Sequence, residues 1–155
     1  MPIQDLFLRA AAGALGLWLI CAAVVAALRT FVLPRSAPDI ITRLVFRGVR
    51  LLFHLRVRRL PTFDARDAAL AMYAPVSLFA LPMVLLTLVA LGYAAIFWAL
   101  GIRPFFAAFL ESGSSLLTLG FVPPTQTALI ALLSFSEAAL GLTLAALLIS
   151  YLPTI

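Results

Sequence analysis

Three long apolar runs divide the chain. The first spans about Leu6 to Leu28, the second lies within Ala68 to Gly101, and the third runs from Thr125 to about Leu152. An apolar stretch of roughly 20 residues matches a hydrocarbon core of about 30 Å, so each run predicts one membrane-crossing helix. The second run is longer than one perpendicular crossing and holds Pro75 and Pro82. It predicts either one tilted, kinked helix or an interfacial turn leading into a helix from about Pro82. Between the first two runs the pattern changes. From Asp39 to Arg59, Arg43, Arg47, Arg50, His54 and Arg58 recur at steps of three or four. That spacing lines one helical face and leaves Ile40, Ile41, Leu44, Val45, Leu52 and Leu55 largely on the other. Between the second and third runs, Arg103 to Pro124 is too short and too interrupted to cross a bilayer. Pro104 suits the first turn of a helix, where its missing N–H has no cost. A helix over 104–117 would be about 21 Å long, half a membrane.

Composition sharpens the class. The chain is 65% hydrophobic and 11% charged, with a mean hydropathy of +1.16. A soluble domain of this length could not hide so much apolar surface. The expected fold is an all-α membrane protein: three transmembrane helices, a short helix between the last two, and an interfacial helix after the first. Its divisions are a first transmembrane helix (1–33), an Arg-rich amphipathic segment (34–67) and a region of two long helices with the short one (68–155). A cleaved signal peptide would have a shorter core, a more basic start and a small-x-small site. Here Asp5 precedes Arg9, and Arg29 and Arg35 follow the run, so a retained helix is expected.

Charge gives an orientation. Every basic residue apart from one histidine is arginine, and nine of the 11 lie between Arg29 and Arg66. The positive-inside rule puts that connection in the cytoplasm, the N-terminus outside and the C-terminus inside. The amphipathic segment reads as a helix in the headgroup layer, with Arg43, Arg47, Arg50 and Arg58 reaching anionic lipid. A voltage sensor also repeats arginine, but strictly every third residue within a spanning helix. The setting between spans makes lipid a better partner than nucleic acid. His54 reads as a plain interfacial side chain. Cys21, the only cysteine, excludes an intrachain disulfide and reads as packing. Lysine and asparagine, whose codons are AT-rich, are absent, which points to a GC-rich, bacterial gene and a bacterial cell membrane. The chain stops where the third helix should reach the cytoplasm, so a larger natural protein with a soluble C-terminal region is expected.

The stretch RPFFAAFLESGSSLLTLGFVPP, between two apolar helices, resembles the pore loop of the potassium-channel superfamily. The superfamily pattern is Thr-x-Gly-Tyr/Phe-Gly-Asp. Thr118 matches its threonine, Leu119 the usual Val or Ile, Gly120 the first glycine and Phe121 the aromatic. Val122 stands in place of the second glycine, Pro123 in place of the aspartate, and Leu117 in place of another frequent threonine. Gly141 lies where the inner helix often carries a hinge glycine. The resemblance covers Ala68 to Leu152. It implies a homotetrameric pore with an outer helix, a pore helix (104–117), a filter (118–122) and an inner helix (125–152). Potassium ions, with no other cofactor, would be held by the backbone carbonyls of Thr118, Leu119, Gly120 and Phe121. Valine at 122 disfavours the positive φ that a filter glycine allows, so the resemblance implies weakened discrimination against sodium.

Glu111 and Glu137 are the only carboxylates after Asp67, and intramembrane ionisable groups are functional candidates. Glu137 either faces the pore, enriching cations in a ring, or sits behind the filter, protonated and bonded to a pore-helix serine. Glu111 takes a structural hydrogen bond or a conducting role. No HExxH, GxSxG, GxGxxG or Walker pattern is present, so no enzyme is expected. Two other functions fit the same pattern. One is a non-conducting membrane sensor or subunit that binds lipid or a partner through its Arg-rich segment. The other is a small transporter component. The transporter would use the re-entrant loop as a binding site. Taken alone, Thr118–Phe121 also reads as an ordinary helix-terminus turn in a small membrane protein.

Overall fold

The computed structural model describes residues 3–32, 40–57, 71–120 and 127–151, and every regular element among them is helical. The order is α1 (Ile3–Ala27), continued by a π turn (Leu28–Val32), then α2 (Ile40–Val57), α3 (Tyr73–Leu100), α4 (Phe105–Leu116) and α5 (Ala128–Tyr151). Three stretches are long and apolar enough to cross a membrane: Ile3–Phe31, Pro75–Leu100 and Ala128–Leu147. This is the architecture of a multi-pass membrane protein.

Helix α3 is the centre of the bundle and touches every other helix. It resolves the choice left by its prolines in favour of one continuous helix. Pro75 falls in the first turn, where N–H groups have no intrahelical acceptor, and only Pro82 interrupts the ladder. At 28 residues the helix is about 42 Å long, more than a perpendicular crossing needs. Leu81, Leu85, Val89, Tyr93 and Phe97 recur every fourth residue and are all buried, the ridge on which neighbouring helices pack. Gly101, in the left-handed region with φ 117°, ends the helix, and its N–H bonds back to Trp98.

Helix α1 packs along α3 through small residues. Its buried positions are Gly16, Ile20, Ala23, Ala26 and Ala27. At the crossing, a Cβ on Gly16 would strike the Gly92 carbonyl, and one on Gly92 would come within 2.8 Å of the Gly16 carbonyl. Only glycine at both positions lets the backbones approach this closely.

Helix α2 lies against α3 and the π turn. Thr30 and Thr42 share a hydroxyl hydrogen bond of 3.0 Å. The Tyr73 hydroxyl donates to the Phe46 carbonyl at 3.4 Å, and its ring meets Phe53 edge-on. The apolar positions of α2 divide differently from the single face that periodicity predicts. Thr42 and Val49 are buried and Val45, Phe46 and Phe53 half-buried, whereas Ile40, Leu44, Leu51, Leu52 and Leu55 are exposed. Arg43, Arg47, Arg50 and His54 are exposed beside that apolar ridge. Arg58 lies outside the described residues.

Candidate functional site

Helix α4 carries the candidate chemistry. It begins one residue later than the sequence predicts: Pro104 is extended (φ −71°, ψ 177°) and precedes the first turn. Over 12 residues it is about 18 Å long. It packs on α3 and α5 together because its buried side is small: Ala108, Ser112 and Ser114, with Glu111 and Leu116. Its aromatic residues Phe105, Phe106 and Phe109 stay exposed.

Ser112 joins three helices. Its hydroxyl lies 2.8 Å from the Ala90 carbonyl of α3 and is hydrogen-bonded to Glu137 Oε1 of α5. A serine hydroxyl has one proton. Both contacts are hydrogen bonds only if Glu137 keeps its own proton and gives it to Ser112, while Ser112 donates to Ala90. A neutral acid also fits the surroundings, since Glu137 is fully buried and the sequence holds no basic residue after Arg103. Its second oxygen, Oε2, is buried with no hydrogen-bond partner. The same counting applies to Ser136, which donates to the Leu133 carbonyl at 2.7 Å and so receives its 2.9 Å bond from the Tyr93 hydroxyl.

Glu137 thus faces α4 from within the chain, with Ser134 and Gly141 on the same buried side of α5. The exposed side of α5 carries Leu132, Phe135, Ala139 and Leu142 instead. Of the two arrangements open for Glu137, the chain shows the contact with an α4 serine that the second one needs. Glu111 is 3% exposed and accepts a 3.3 Å bond from Ser134. Gly141 has a packing reason to be glycine: a Cβ there would strike the Leu116 carbonyl. The helix runs without interruption through it, from Ala128 to Tyr151.

The end of α4 has a defined geometry. Leu119 N–H bonds to the Ser114 carbonyl at 2.9 Å and Thr118 N–H to the Ser115 carbonyl at 3.1 Å. Thr118 is in the left-handed region (φ 53°), as is Gly120 (φ 66°). This is a Schellman cap with threonine in the place glycine usually takes. It turns the N–H groups of Thr118 and Leu119 back into the helix. Among the described residues, no backbone N–H bonds to the carbonyls of Thr118, Leu119 or Gly120. Phe121 and Val122 lie outside the described residues.

Depth follows from partners. Ala90 and Glu137 lie near the middle of their spans, and Gly141 is one turn further along α5. The last turn of α4 is therefore beside the middle of the two long helices. Beyond it, Thr118 and Gly120 line a groove of about 220 Å³ with Glu111, Ser114, Ser115, Ser134, Phe135 and Ala138. No group of three or more His, Cys, Asp or Glu residues suited to a metal ion occurs among the described residues.

Sequence reasoning missed the Gly16–Gly92 crossing and the groove. The first had a signal, small residues at helical spacing in two apolar runs. The second had none, since it needs α4 and α5 in contact. No protein family, curated protein or solved structure matches the chain.

Proposed function

We propose that the chain is one subunit of a homotetrameric channel for monovalent cations, with potassium the preferred ion and sodium less strongly excluded. The observation that carries this reading is the end of α4. A half-length helix stops beside the middle of two membrane-length helices, and among the described residues no backbone N–H bonds to the carbonyls of Thr118, Leu119 and Gly120 that follow it. Non-helical backbone at that depth is tolerated only where it is buried in protein or lines water. Four chains around an axis would provide both conditions. The C-terminal end of α4 carries partial negative charge, which favours a cation beneath it. Carbonyl oxygens are hard ligands that replace an ion's hydration shell, and a segment with no carboxylate suits monovalent rather than divalent ions.

In this reading α4 is a re-entrant pore helix, residues 118–122 form the filter and α5 is the inner helix. Ser112 and Glu137 hold the pore helix from behind. The Arg face of α2 lies in the cytoplasmic headgroup layer, where Arg43, Arg47 and Arg50 meet anionic lipid while Leu44, Leu51 and Leu55 enter the acyl boundary. The N-terminus is then outside.

Potassium flux into liposomes carrying the purified protein tests the proposal. Gly120→Asp places four carboxylates where four backbones converge and should abolish flux while the oligomer still assembles. Flux that survives Gly120→Asp, or no flux at any voltage, pH or lipid composition, would leave the non-conducting subunit as the better reading.

A further inference from the structure

Helices α1 and α3 run antiparallel, and the contacts along their seam step evenly. A Cβ on Gly92 would meet Ile20, one on Gly16 would meet Ile96, and one on Gly13 would lie 3.7 Å from the Ala99 Cβ. Arg9, Gly13, Gly16 and Ile20 follow one another at steps of four, three and four, so Arg9 shares the face that packs on α3. The next step along the seam sets Arg9 level with the turn after α3, which carries Arg103. The membrane-length part of α3 ends at Leu100. Both arginines therefore mark one face of the bilayer, with Trp98 at the depth where interfacial aromatics gather.

Nothing described in the chain balances this pair. Arg9 is half-buried, and its Nε is buried with no hydrogen-bond partner. Arg103 is exposed, with its guanidinium 4.2 Å from the centre of the Trp98 ring. A guanidinium stacked on an aromatic face keeps its in-plane N–H donors for another ligand. The described carboxylate at this end is Asp5, exposed and one turn before Arg9. Glu111 and Glu137 are taken up by Ser134 and Ser112. Two guanidiniums against one carboxylate leave one net positive charge. Beside it, α1 exposes the apolar side chains of Leu6, Phe7 and Leu8. A ligand that suits both features has one negative charge and an apolar body.

We propose that Arg9 and Arg103 form a headgroup site for an anionic phospholipid. The phosphodiester sits between the two guanidiniums, and the acyl chains lie along the exposed apolar surface of α1. Arginine suits this task because its planar fork meets two phosphate oxygens at once. The single charge of the phosphodiester balances the excess one for one. Free inorganic phosphate offers the same oxygens but leaves Leu6, Phe7 and Leu8 uncovered. The Arg face of α2 is a different contact, since α2 meets α3 at its other end, beside Tyr73. The site is built within one chain and needs neither an oligomer nor a pore.

Fluorescence quenching of the full-length protein in vesicles tests it. Trp98 is the reporter once the other tryptophan is removed by Trp18→Phe. Phosphatidylglycerol or phosphatidylcholine with brominated acyl chains is added in rising fraction to unbrominated phosphatidylcholine. Brominated phosphatidylglycerol should half-quench Trp98 at about a tenfold lower fraction, the worth of one charge-assisted bond. Arg103→Gln and Arg9→Gln should each cut that preference to about twofold or less. Quenching by brominated phosphatidylcholine, retained in a variant, shows that its bundle is intact. Arg103 is exposed, so Arg103→Gln carries the test even where Arg9→Gln does not fold. Excess inorganic phosphate should leave the preference unchanged. Equal quenching by the two lipids, a full preference in Arg103→Gln, or displacement by inorganic phosphate would overturn the lipid site. The readout is local to Trp98, so a failed flux assay does not decide it, and its own failure leaves the pore reading untouched.

Discussion

Helix α3 offers two seams of opposite chemistry. Toward α1 it presents Gly92 and apolar side chains, and the backbones nearly touch at Gly16. Toward α4 and α5 it presents the Ala90 carbonyl and the Tyr93 hydroxyl, and hydroxyls and carboxyls complete the contact. The first seam is held by close packing, which has one best geometry and little to adjust. The second is held by hydroxyl and carboxyl hydrogen bonds, each of which needs its donor matched to an acceptor. A membrane bundle needs only the first kind to assemble. The second kind marks where the chain spends stability on something else.

The largest effect expected from breaking this contrast is at the first seam. Gly16→Leu cannot be accommodated without moving the Gly92 backbone, and overpacking of this sort costs about 3 kcal/mol. Thermal unfolding in detergent should show a strongly lowered midpoint or loss of monodisperse protein. A midpoint within a degree or two of the parent would mean that α1 is not held at this crossing.

A smaller effect is expected at the second seam. Ser112→Ala leaves the Glu137 acid buried without its partner, at a cost of about 2 kcal/mol. The double variant Ser112→Ala with Glu137→Leu removes both polar groups and should recover much of that loss. If the double variant is as unstable as the sum of the singles, the two residues are not coupled across the seam.

Gly141→Ala puts a Cβ onto the Leu116 backbone carbonyl, which no side-chain rotation relieves, and should cost about 2 kcal/mol. Its readout is functional. Pushing the Leu116 carbonyl displaces the residues that follow it, so opening of the proposed channel should change while the proposed oligomer persists. Unaltered opening would show that Leu116 and the filter segment are mechanically separate.

Much of the fold was legible because apolar length and arginine spacing are one-dimensional signals. The three long helices fall where their runs predict, and α2 (Ile40–Val57) lies within the segment marked by Arg43, Arg47 and Arg50. What depends on two elements meeting was not legible. Gly16 and Gly92 are 76 positions apart in sequence, and only their contact explains either glycine. The apolar side of α2 looked single because periodicity cannot tell Val49, which meets the bundle, from Leu44 and Leu51, which do not. Glu137 was open between two placements until Ser112 was found against it. Nothing in the spacing of the α4 serines marks Ser112 as the one that reaches two other helices.

The central claim is that the carbonyls following α4 line an ion path built from four chains. A density map of the purified assembly in lipid, with potassium present, tests it most directly. The account predicts fourfold symmetry, α4 directed toward the axis, and ion density on that axis beside Thr118, Leu119 and Gly120. A different number of chains, or a fourfold assembly in which those carbonyls face protein or lipid away from the axis, would contradict it.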